Sequence, residues 1–482
     1  MTMLSVDTQI EAGLHIAGEW QNADQKIDVT NCVDGSVVGW LAWGTAADAT
    51  RAADAAESAF GKWSTSTARY RADALMAGAA LLEQRATTIS ELLARESGKR
   101  LPEARAEIAF SIEYFRWFAE EVRRPVGAVL GQENSAVRHL TTRRPVGVVA
   151  SLTPWNFPCS IQARKLAPAL AAGCTVVARV SEKAPLAVTE MIRCFTDAGL
   201  PPGVLNLVHG PAREITSALL GHRAVRAVSF TGSTAVGAQI MTTAARRIVR
   251  PLLELGGNAP FLVCADADVD AAVEGAMLAK FRNAGQSCLA ANRFFVHSSV
   301  YSAFTDQLVA RIDAMTVGDG LADPTPDLGP VIDAARVEAV NGLLEGALTD
   351  GARKLTREFQ LPTVGHWVAP TLLAEVPTTS AIAKEEVFGP AAAVFSFDDE
   401  TEAVARANGT EMGLAGYVYS RDVGRAWKLA EALEVGIAGV NHALPSVAFA
   451  PMGGVKQSGL GREGADVGLA EFTDLKYIAL GL

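Results

Sequence analysis

A cysteine in the second half of the chain stands where a nucleophile could be exposed. A helical pattern over Val269–Phe281 runs into the turn Gly285-Gln286-Ser287, and Cys288 follows just before a strand-like segment. A cysteine at such a junction can face a cleft, and its thiolate would then attack a carbonyl carbon. A buried, inert structural cysteine is the alternative that this pattern alone leaves open.

A glutamate lies within the apolar segment Leu252-Leu253-Glu254-Leu255, which two glycines follow. A carboxylate among apolar side chains is costly to bury unless it has a partner or a function. Burial would raise its pKa and suit it to act as a general base. The structural alternative is a salt-bridged carboxylate that caps the next helix. Gly256 and Gly257 indicate that backbone or ligand approaches closely at this point.

An asparagine follows the apolar run that ends at Leu152, in Thr153-Pro154-Trp155-Asn156. Ligands of open α/β sheets bind at the carboxyl ends of strands, and an asparagine amide there can donate to an oxyanion. A turn asparagine beside a packing tryptophan is the alternative. The stretch Ser229–Gly237 predicts a strand, a glycine turn and a helix start that could hold phosphate, although it is not G-x-G-x-x-G.

Metal-binding patterns are weak in this sequence. Asp266, Asp268 and Asp270 begin like a calcium loop, but Ala271 and Met277 stand where a glycine and a glutamate are needed. The seven histidines form no H-x-x-x-H pair. We therefore expect no metal.

The composition of the chain excludes several classes of binding partner and of targeting segment. The 482 residues carry a formal net charge of -10, which argues against nucleic acid or an anionic membrane as the main partner. The six cysteines form no C-x-x-C pair, so a disulfide framework is not expected. The first thirty residues lack an apolar core of the signal-peptide kind, and no apolar run approaches the ~20 residues of a membrane span. These patterns predict a soluble, cytoplasmic protein.

Hydrophobic periodicity predicts an α/β protein. Residues 46–124 read as helices, with segments at Ala46–Phe60, Ala68–Glu83, Ile89–Gly98 and Leu101–Arg123. From about Arg144 short β-rich runs alternate with helices, which is typical of a doubly wound parallel sheet. The buried strands are predicted at Val146–Leu152, Thr175–Val180, Val204–Val208, Ala227–Phe230, Arg250–Leu255 and Pro260–Val263. A second α/β series begins after Gly256-Gly257, with strands predicted at Phe294–His297, Val394–Phe397, Leu414–Tyr419 and Ile437–Asn441. Pro125–Arg143 lacks helical periodicity and favours a β-hairpin.

Together these segments resemble the aldehyde dehydrogenase superfamily over nearly the whole chain. Glu254-Leu255-Gly256-Gly257 and Gly285-Gln286-Ser287-Cys288 are similar to its glutamate and cysteine motifs, and Glu254 and Cys288 stand 34 positions apart. The segment from Glu385 to Pro390, which reads EEVFGP, is similar to the motif that contacts the nicotinamide ribose. The resemblance implies an α/β fold with a Rossmann-type cofactor domain, an α/β catalytic domain and a small β oligomerisation element.

The resemblance also implies domain bounds. Residues 1–124 and 144–254 would form the dinucleotide-binding domain, 255–464 the catalytic domain, and 125–143 with 465–482 the oligomerisation element. In the family that last element usually pairs across subunits, so a homodimer or homotetramer is expected.

The mechanism implied by the resemblance gives each motif a role. The Cys288 thiolate attacks the aldehyde, and Asn156 and the Cys288 backbone amide stabilise the oxyanion. Hydride transfer to nicotinamide leaves a thioester, which water activated by Glu254 hydrolyses. The cofactor-binding residues implied are Thr153, Pro154, Trp155, Lys165, Arg179, Glu182, Gly232, Ser233, Val236, Leu255, Glu386 and Phe388. Glu182 would accept hydrogen bonds from ribose hydroxyls and repel a 2′-phosphate, whereas Arg179 favours one. NAD is expected, with NADP possible.

Within the superfamily the chain is similar to succinate-semialdehyde dehydrogenases, over Glu254–Arg293 and Pro451–Tyr477. The resemblance implies that Arg164, Arg282 and Ser446 hold the far carboxylate of a small anionic aldehyde. Succinate semialdehyde is the substrate expected first. Glutarate, ketoglutarate or sulfonated semialdehydes are alternatives.

Several positions depart from the subfamily's pattern. Ala290 replaces a second cysteine, so no redox disulfide is expected there, and Met452 replaces a phenylalanine. His442 and Pro445 lie in a loop that could select another acid. A CoA-acylating dehydrogenase is a competing class that has no need of Glu254. A second competing class is a non-catalytic structural relative. Such a protein would have no need to keep Cys288, Glu254 and Asn156 together.

Overall fold

The computed structural model describes residues 10–124, 127–133 and 135–482. Predictions that include residues 1–9, 125, 126 and 134 lie in part outside the described residues. The helices are α1 Ala46–Ser64, α2 Ala68–Gln84, α3 Ala86–Ser97, α4 Leu101–Glu121, α5 Pro158–Ala172, α6 Leu186–Asp197, α7 Ala212–Gly221, α8 Thr234–Ala245, α9 Val269–Phe281, α10 Ser298–Asp313, α11 Ala334–Thr349, α12 Ala381–Lys384, α13 Glu400–Asn408, α14 Val423–Ala432 and α15 Ala465–Glu471.

The described residues also form five separate sheets. The strands are β1 Ile10–Ala12, β2 Leu14–Ile16, β3 Glu19–Gln21, β4 Gln25–Thr30, β5 Val37–Trp43, β6 Ala128–Val129, β7 Val137–Pro145, β8 Val148–Leu152, β9 Thr175–Arg179, β10 Leu205–Leu207, β11 Val225–Thr231, β12 Arg250–Glu254, β13 Ala259–Val263, β14 Ala291–His297, β15 Arg353–Lys354, β16 Thr371–Ala374, β17 Ala391–Phe397, β18 Met412–Gly413, β19 Ala415–Tyr419, β20 Ile437–Val440, β21 Val455–Lys456, β22 Gly459–Leu460 and β23 Thr473–Gly481.

The first large sheet is doubly wound, as the sequence predicts. Its order is β22-β12-β11-β8-β9-β10-β2-β3, and the five strands from β12 to β10 run parallel. The chain moves from β8 outward through β9 and β10, then returns to β11 on the other side of β8. Because the connections change direction between β8 and β11, a crevice opens at the carboxyl ends of these strands. Thr153 and Gly232 follow those two ends.

The second large sheet has the order β15-β16-β17-β14-β13-β19-β20, and β16 to β20 run parallel within it. The predicted strands of the second series are confirmed, with shifts of a few residues at their ends. The buried residues of the two halves form separate cores: one runs from Ala259 to Met452, and the others lie mainly before Gly256. The chain therefore changes core close to the Gly256-Gly257 pair.

The four predicted helices at the start of the chain are confirmed as α1 to α4. Thr45 and Asp48 form a capping box at α1, and Pro102 occupies the first turn of α4. Gly98 ends α3 with a left-handed φ of 71°. The short strands β1 to β5 were not predicted, since three of them are only three residues long and show no clear alternation.

The predicted hairpin pairs β6 with β7, and β7 pairs antiparallel with β23 from Pro145↔Thr473 to Val137↔Gly481. This three-stranded sheet leaves large apolar side chains exposed, among them Val129, Leu475, Tyr477 and Leu480. Among the residues described, no helix is both long and apolar enough to cross a membrane.

Candidate active site

The loop that carries Cys288 has a strained backbone. After α9 the chain makes a 3₁₀ turn over Arg282–Gly285, and Asn283 and Ala284 both adopt a left-handed φ of 53°. Such conformations are unfavourable for residues with a Cβ and persist only where the surroundings impose them. Gly285 also has positive φ, and a Cβ there would lie 2.1 Å from the Gly389 carbonyl oxygen. The loop is therefore fixed by its neighbours.

Cys288 and Glu254 meet, as the two motifs predict. The Sγ atom lies 3.9 Å from Glu254 Oε2, and Glu254 Oε1 is buried without a hydrogen-bond partner. A Cβ on Gly257 would lie 2.3 Å from the Cys288 carbonyl oxygen, which explains the glycine. Cys288 keeps part of its surface accessible, while the other five cysteines are buried. The pair can thus serve as nucleophile and base.

The electrostatics of this pair keep the thiol protonated and leave the carboxyl able to act as a base near neutral pH. Burial and the neighbouring Glu463 raise the pKa of Glu254 to about 7, although Arg164 and Lys165 act in the opposite direction. Burial and the Glu254 carboxylate raise the pKa of the Cys288 thiol well above its ordinary value. A thiol held neutral needs a nearby base, and a carboxyl with a pKa near 7 suits that task at neutral pH.

Asn156 is held by a group of residues that we call the asparagine cradle: Lys99, Glu107, Asn156 and Asn283. Lys99 Nζ and Asn283 Nδ2 each donate to the Asn156 backbone carbonyl at 2.9 Å. The Asn156 side-chain amide donates to the Gln286 carbonyl at 3.1 Å, two residues before the nucleophile. Since a primary amide has two N–H groups, one remains for an oxyanion.

The cradle rests on a buried ion pair between Lys99 and Glu107. The second Glu107 oxygen accepts from the backbone N–H groups of Cys159 and Ser160, at 2.9 and 3.2 Å, in the first turn of α5. A carboxylate at a helix N-terminus complements the helix dipole. The cradle thus ties α4, α5 and the cysteine loop together.

A second group of charges lies on the other side of Glu254. Glu463 is buried and accepts from Lys165 Nζ at 2.6 Å, and Lys165 also reaches Ser229 Oγ at 3.1 Å. Arg164 Nη1 stands 3.6 Å from the other Glu463 oxygen. Two cations therefore share the Glu463 carboxylate, and both also act on Glu254.

We name Tyr114, Arg164, Ser446 and Met452 the anion pocket. The Arg164 guanidinium contacts the Met452 thioether, and Ser446 Oγ lies 3.5 Å from the same sulfur. Arg164 Nε and the Tyr114 hydroxyl are buried without hydrogen-bond partners. The predicted residues Arg164 and Ser446 are therefore brought together. Arg282 packs over the Phe157 ring at 5.3 Å and acts electrostatically on Tyr417.

Several predicted cofactor residues line the crevice at the ends of β8 and β12. The Trp155 and Phe388 rings meet edge to face at 5.5 Å. Glu386 accepts from the Gly257 backbone N–H at 3.1 Å, and burial raises its pKa to about 7. Thr153 Oγ1 donates to Gln162, and the Leu255 N–H donates to the Ser458 carbonyl. Pro154 lies in the turn between Thr153 and Trp155.

The other predicted cofactor residues lie at α8 and after β9. Ser233 caps α8 and accepts from the Val236 N–H, and Gly232 precedes it in the turn. Arg179 Nη2 pairs with Glu182 at 2.7 Å and donates to the Gly210 carbonyl. Thr231 Oγ1, just before the turn, is buried without a partner. Lys165 is placed differently, inside the charge group with Glu463, and its role toward a nucleotide stays a prediction.

Sequence reasoning missed Lys99, Glu107, Glu463 and Tyr114. Each is a polar residue in an otherwise buried position, at or below 4% exposure. The signal available was a charged residue on the apolar face of a helix, as for Glu107 between Ala104 and Ile108. That signal could mark these positions as unusual, but their partners lie far away in sequence.

One group of possible metal ligands occurs in the described part of the chain, formed by Asp54, Glu57 and His222. Asp54 already accepts from His222 Nε2 at 3.0 Å, and Glu57 pairs with Arg223. These side chains belong to the surface of α1 and the end of α7. They take no part in the site around Cys288.

The chain is similar to known proteins over nearly its whole length. Residues 20–478 match the aldehyde dehydrogenase family. The chain is 42% identical to a glutarate-semialdehyde dehydrogenase of Pseudomonas putida, covering 97% of each sequence. It is 43% identical to a 3-sulfolactaldehyde dehydrogenase of Pseudomonas putida, covering 97% of this chain and 96% of the relative. A crystal structure of succinate-semialdehyde dehydrogenase from Burkholderia pseudomallei superimposes with a TM-score of 0.95 at 43% identity, covering 98% of each chain. Since the family match spans nearly the whole chain and Cys288 meets Glu254, this chain belongs to the aldehyde dehydrogenase family.

Proposed function

We propose that the protein oxidises a small aldehyde with an anionic far end to the corresponding carboxylic acid, with succinate semialdehyde as the first candidate. The names of the three relatives above support this class, because each acts on an aldehyde that carries a carboxylate or a sulfonate. Glutarate, ketoglutarate and sulfonated semialdehydes are the alternatives within the class.

The observation that carries the proposal is the state of Arg164. This guanidinium is buried, yet its Nε has no hydrogen-bond partner. The guanidinium contacts the Met452 thioether, a Glu463 oxygen 3.6 Å away and the Tyr114 ring, whose centre is 5.4 Å away. Thioether sulfur is a weak acceptor, so the donors of Arg164 are poorly satisfied by the chain itself. An anionic group brought by the substrate would accept from them, with Ser446 beside it and Arg282 as a further cation.

The reaction that we propose is the one implied by the family resemblance, and the proximity of Cys288 and Glu254 supports it. Glu254 takes the proton of the Cys288 thiol, and the sulfur attacks the aldehyde carbon to give a tetrahedral oxyanion. The free N–H of Asn156 and the Cys288 backbone N–H stabilise that charge. After oxidation the acyl group remains on sulfur as a thioester. Glu254 gives up the thiol proton to solvent and, ionised again, removes a proton from water, which attacks the thioester carbon. The C–S bond then breaks, which releases the acid and returns the Cys288 sulfur.

The residues around the crevice fit a nicotinamide dinucleotide. When bound, its nicotinamide ring accepts the hydride that the aldehyde carbon loses. Gly232, Ser233 and Val236 offer the N-terminus of α8 for the pyrophosphate, and the unpartnered Thr231 hydroxyl lies beside it. Thr153, Pro154, Trp155, Leu255, Glu386 and Phe388 would hold the nicotinamide half, and Lys165 is assigned to this set from the family resemblance alone.

We assign NAD as the preferred nucleotide, with NADP as the alternative. Glu182 follows Arg179 at the end of β9, and 41% of its side chain is exposed. Its carboxylate can accept from both ribose hydroxyls and would repel a 2′-phosphate. Arg179 is engaged by Glu182 and the Gly210 carbonyl, which reduces its availability to such a phosphate.

The remaining parts of the proposal concern organisation. Residues 1–124 and 144–254 are assigned to cofactor binding, 255–464 to catalysis, and 125–143 with 465–482 to subunit contacts in a homodimer or homotetramer. The exposed apolar side chains of the β6-β7-β23 sheet support the last assignment. We further propose a cytoplasmic location.

The experiment that tests the function compares aldehydes with both nucleotides. We expect higher kcat/KM for succinate semialdehyde than for butanal, a neutral aldehyde of equal length, and we expect Glu254→Gln to lower kcat by ~10²–10⁴. Mass spectrometry of that variant should show an acyl group on Cys288. A wild-type enzyme with no preference for the anion refutes the substrate class. A requirement for CoA would favour the CoA-acylating dehydrogenase. Inactivity with every aldehyde tested would favour a non-catalytic structural relative.

A further inference from the structure

Tyr114 lies at a position that no sequence pattern marks as functional. It belongs to α4, is fully buried, and its ring packs edge to face on Phe110 at 4.9 Å. The Arg164 guanidinium lies 5.4 Å from the centre of the same ring. The ring thus has ordinary packing reasons to be there, and a phenylalanine could provide them equally well.

Packing does not explain the hydroxyl group of Tyr114. It is buried, and none of its contacts has the length and angle of a well-formed hydrogen bond, which is unfavourable for a buried hydroxyl. Burial and the Glu463 carboxylate raise the pKa of Tyr114, whereas Arg164 and Ser446 lower it, which shows that all three residues lie close to the phenol oxygen. The hydroxyl therefore faces the anion pocket.

Donors outnumber acceptors around this hydroxyl. Tyr114, Ser446 and Arg164 can all donate, and the guanidinium alone carries five N–H groups. The acceptors offered by the chain are the two hydroxyl oxygens, the Met452 sulfur and a Glu463 oxygen 3.6 Å from Arg164. Several buried donors that converge without strong acceptors are suited to an oxyanion group, which accepts hydrogen bonds on two or three oxygens.

We propose that Tyr114 is a specificity-determining residue whose hydroxyl donates to the anionic far end of the aldehyde, alongside Arg164 and Ser446. This inference rests on the proposed function and adds a residue to it. The shared chemistry is a terminal oxyanion, either a carboxylate or a sulfonate. A neutral aldehyde gives the hydroxyl nothing to bind, so the residue acts on selectivity and not on the chemical step.

Tyr114→Phe tests the inference because it removes one oxygen and keeps the ring. The ratio of kcat/KM for succinate semialdehyde to that for butanal should fall by about 10-fold, the size expected for one hydrogen bond to a charged acceptor. The fall should come from a higher KM for the anion, since the contact is equal in ground and transition states. The same comparison with 3-sulfopropanal as the anion shows whether a sulfonate uses the hydroxyl as well, and a loss on either anion supports the proposal.

Tyr419→Phe is the matched control, because the Tyr419 phenol is also buried but packs against Gly275 on α9. We expect it to leave the ratio unchanged. An unchanged ratio in Tyr114→Phe overturns the inference, and so does an equal loss on butanal together with a lower Tm, which would show a structural role. Failure of the proposed function looks different, since the wild-type enzyme would then show no preference for the anion.

Discussion

The asparagine cradle and the anion pocket are both buried polar groups beside Cys288, yet their hydrogen bonding is opposite. In the cradle, each Glu107 oxygen has donors and the Asn156 carbonyl accepts two hydrogen bonds at 2.9 Å. In the pocket, the Tyr114 hydroxyl and Arg164 Nε have no partners. The chain itself supplies hydrogen-bond partners for the cradle, whereas the anion pocket contains donors without acceptors.

This difference in hydrogen bonding indicates that the cradle positions Asn156 and that the pocket binds a ligand. A polar network whose members are all satisfied is rigid, and it can hold one N–H where an oxyanion will form. A region with unsatisfied donors is poor at stabilising the fold but is ready for a ligand that supplies acceptors. Breaking the cradle should therefore affect stability, and altering the pocket should affect substrate choice.

Glu107→Ala is expected to have the largest effect. It leaves Lys99 buried without its carboxylate, and breaking a buried ion pair typically costs about 3–5 kcal/mol. Thermal unfolding should show a clearly lower Tm. Glu113→Ala on the same helix is the control, because Glu113 is exposed and its pair with Arg116 is worth at most about 1 kcal/mol. Equal Tm values for the two variants would contradict the account of the cradle.

Asn156→Ala should lower kcat by about 10²–10³ while the protein remains folded. The cradle holds the Asn156 backbone carbonyl, which alanine retains, so the substitution mainly removes the donor to the oxyanion. Single-turnover kinetics with succinate semialdehyde measure the step directly. Near-normal rates would remove Asn156 from this role, and a large fall in Tm would show that the side chain is needed for folding instead.

The pH dependence of activity should also distinguish the anion pocket from the asparagine cradle, although the expected effect is smaller than the two above. Glu254 acts as a base when ionised, so activity should fall as the pH drops through its pKa of about 7. Arg164 lowers that pKa and Glu463 raises it, so Arg164→Met should move the acid limb to higher pH, by up to about one unit. Butanal should be the substrate, since it lacks the anion that Arg164 would bind. Asn156→Ala should leave the limb in place, and a shift toward acid in Arg164→Met would contradict the electrostatic account.

Much of the catalytic site was predictable because its residues lie in local patterns. Glu254 and Cys288 each stand in a short motif at the edge of a strand or helix, and the parallel strands that carry such motifs bring their carboxyl ends together. The hydrophobic alternation that predicts β8 and β11 also predicts the crevice between them. Asn156 follows from its place after β8.

The sequence by itself determined the α/β layout through its periodicity, and it determined the family and the candidate catalytic residues through short motifs, because both kinds of signal are local. Only the tertiary structure decided which buried polar groups meet. Glu107 on α4 finds its partners at Lys99 and the start of α5, and Tyr114 meets Ser446 from the far end of the chain. Such pairings depend on how helices and loops pack, and a buried charge or hydroxyl does not reveal its partner through its own neighbours in sequence.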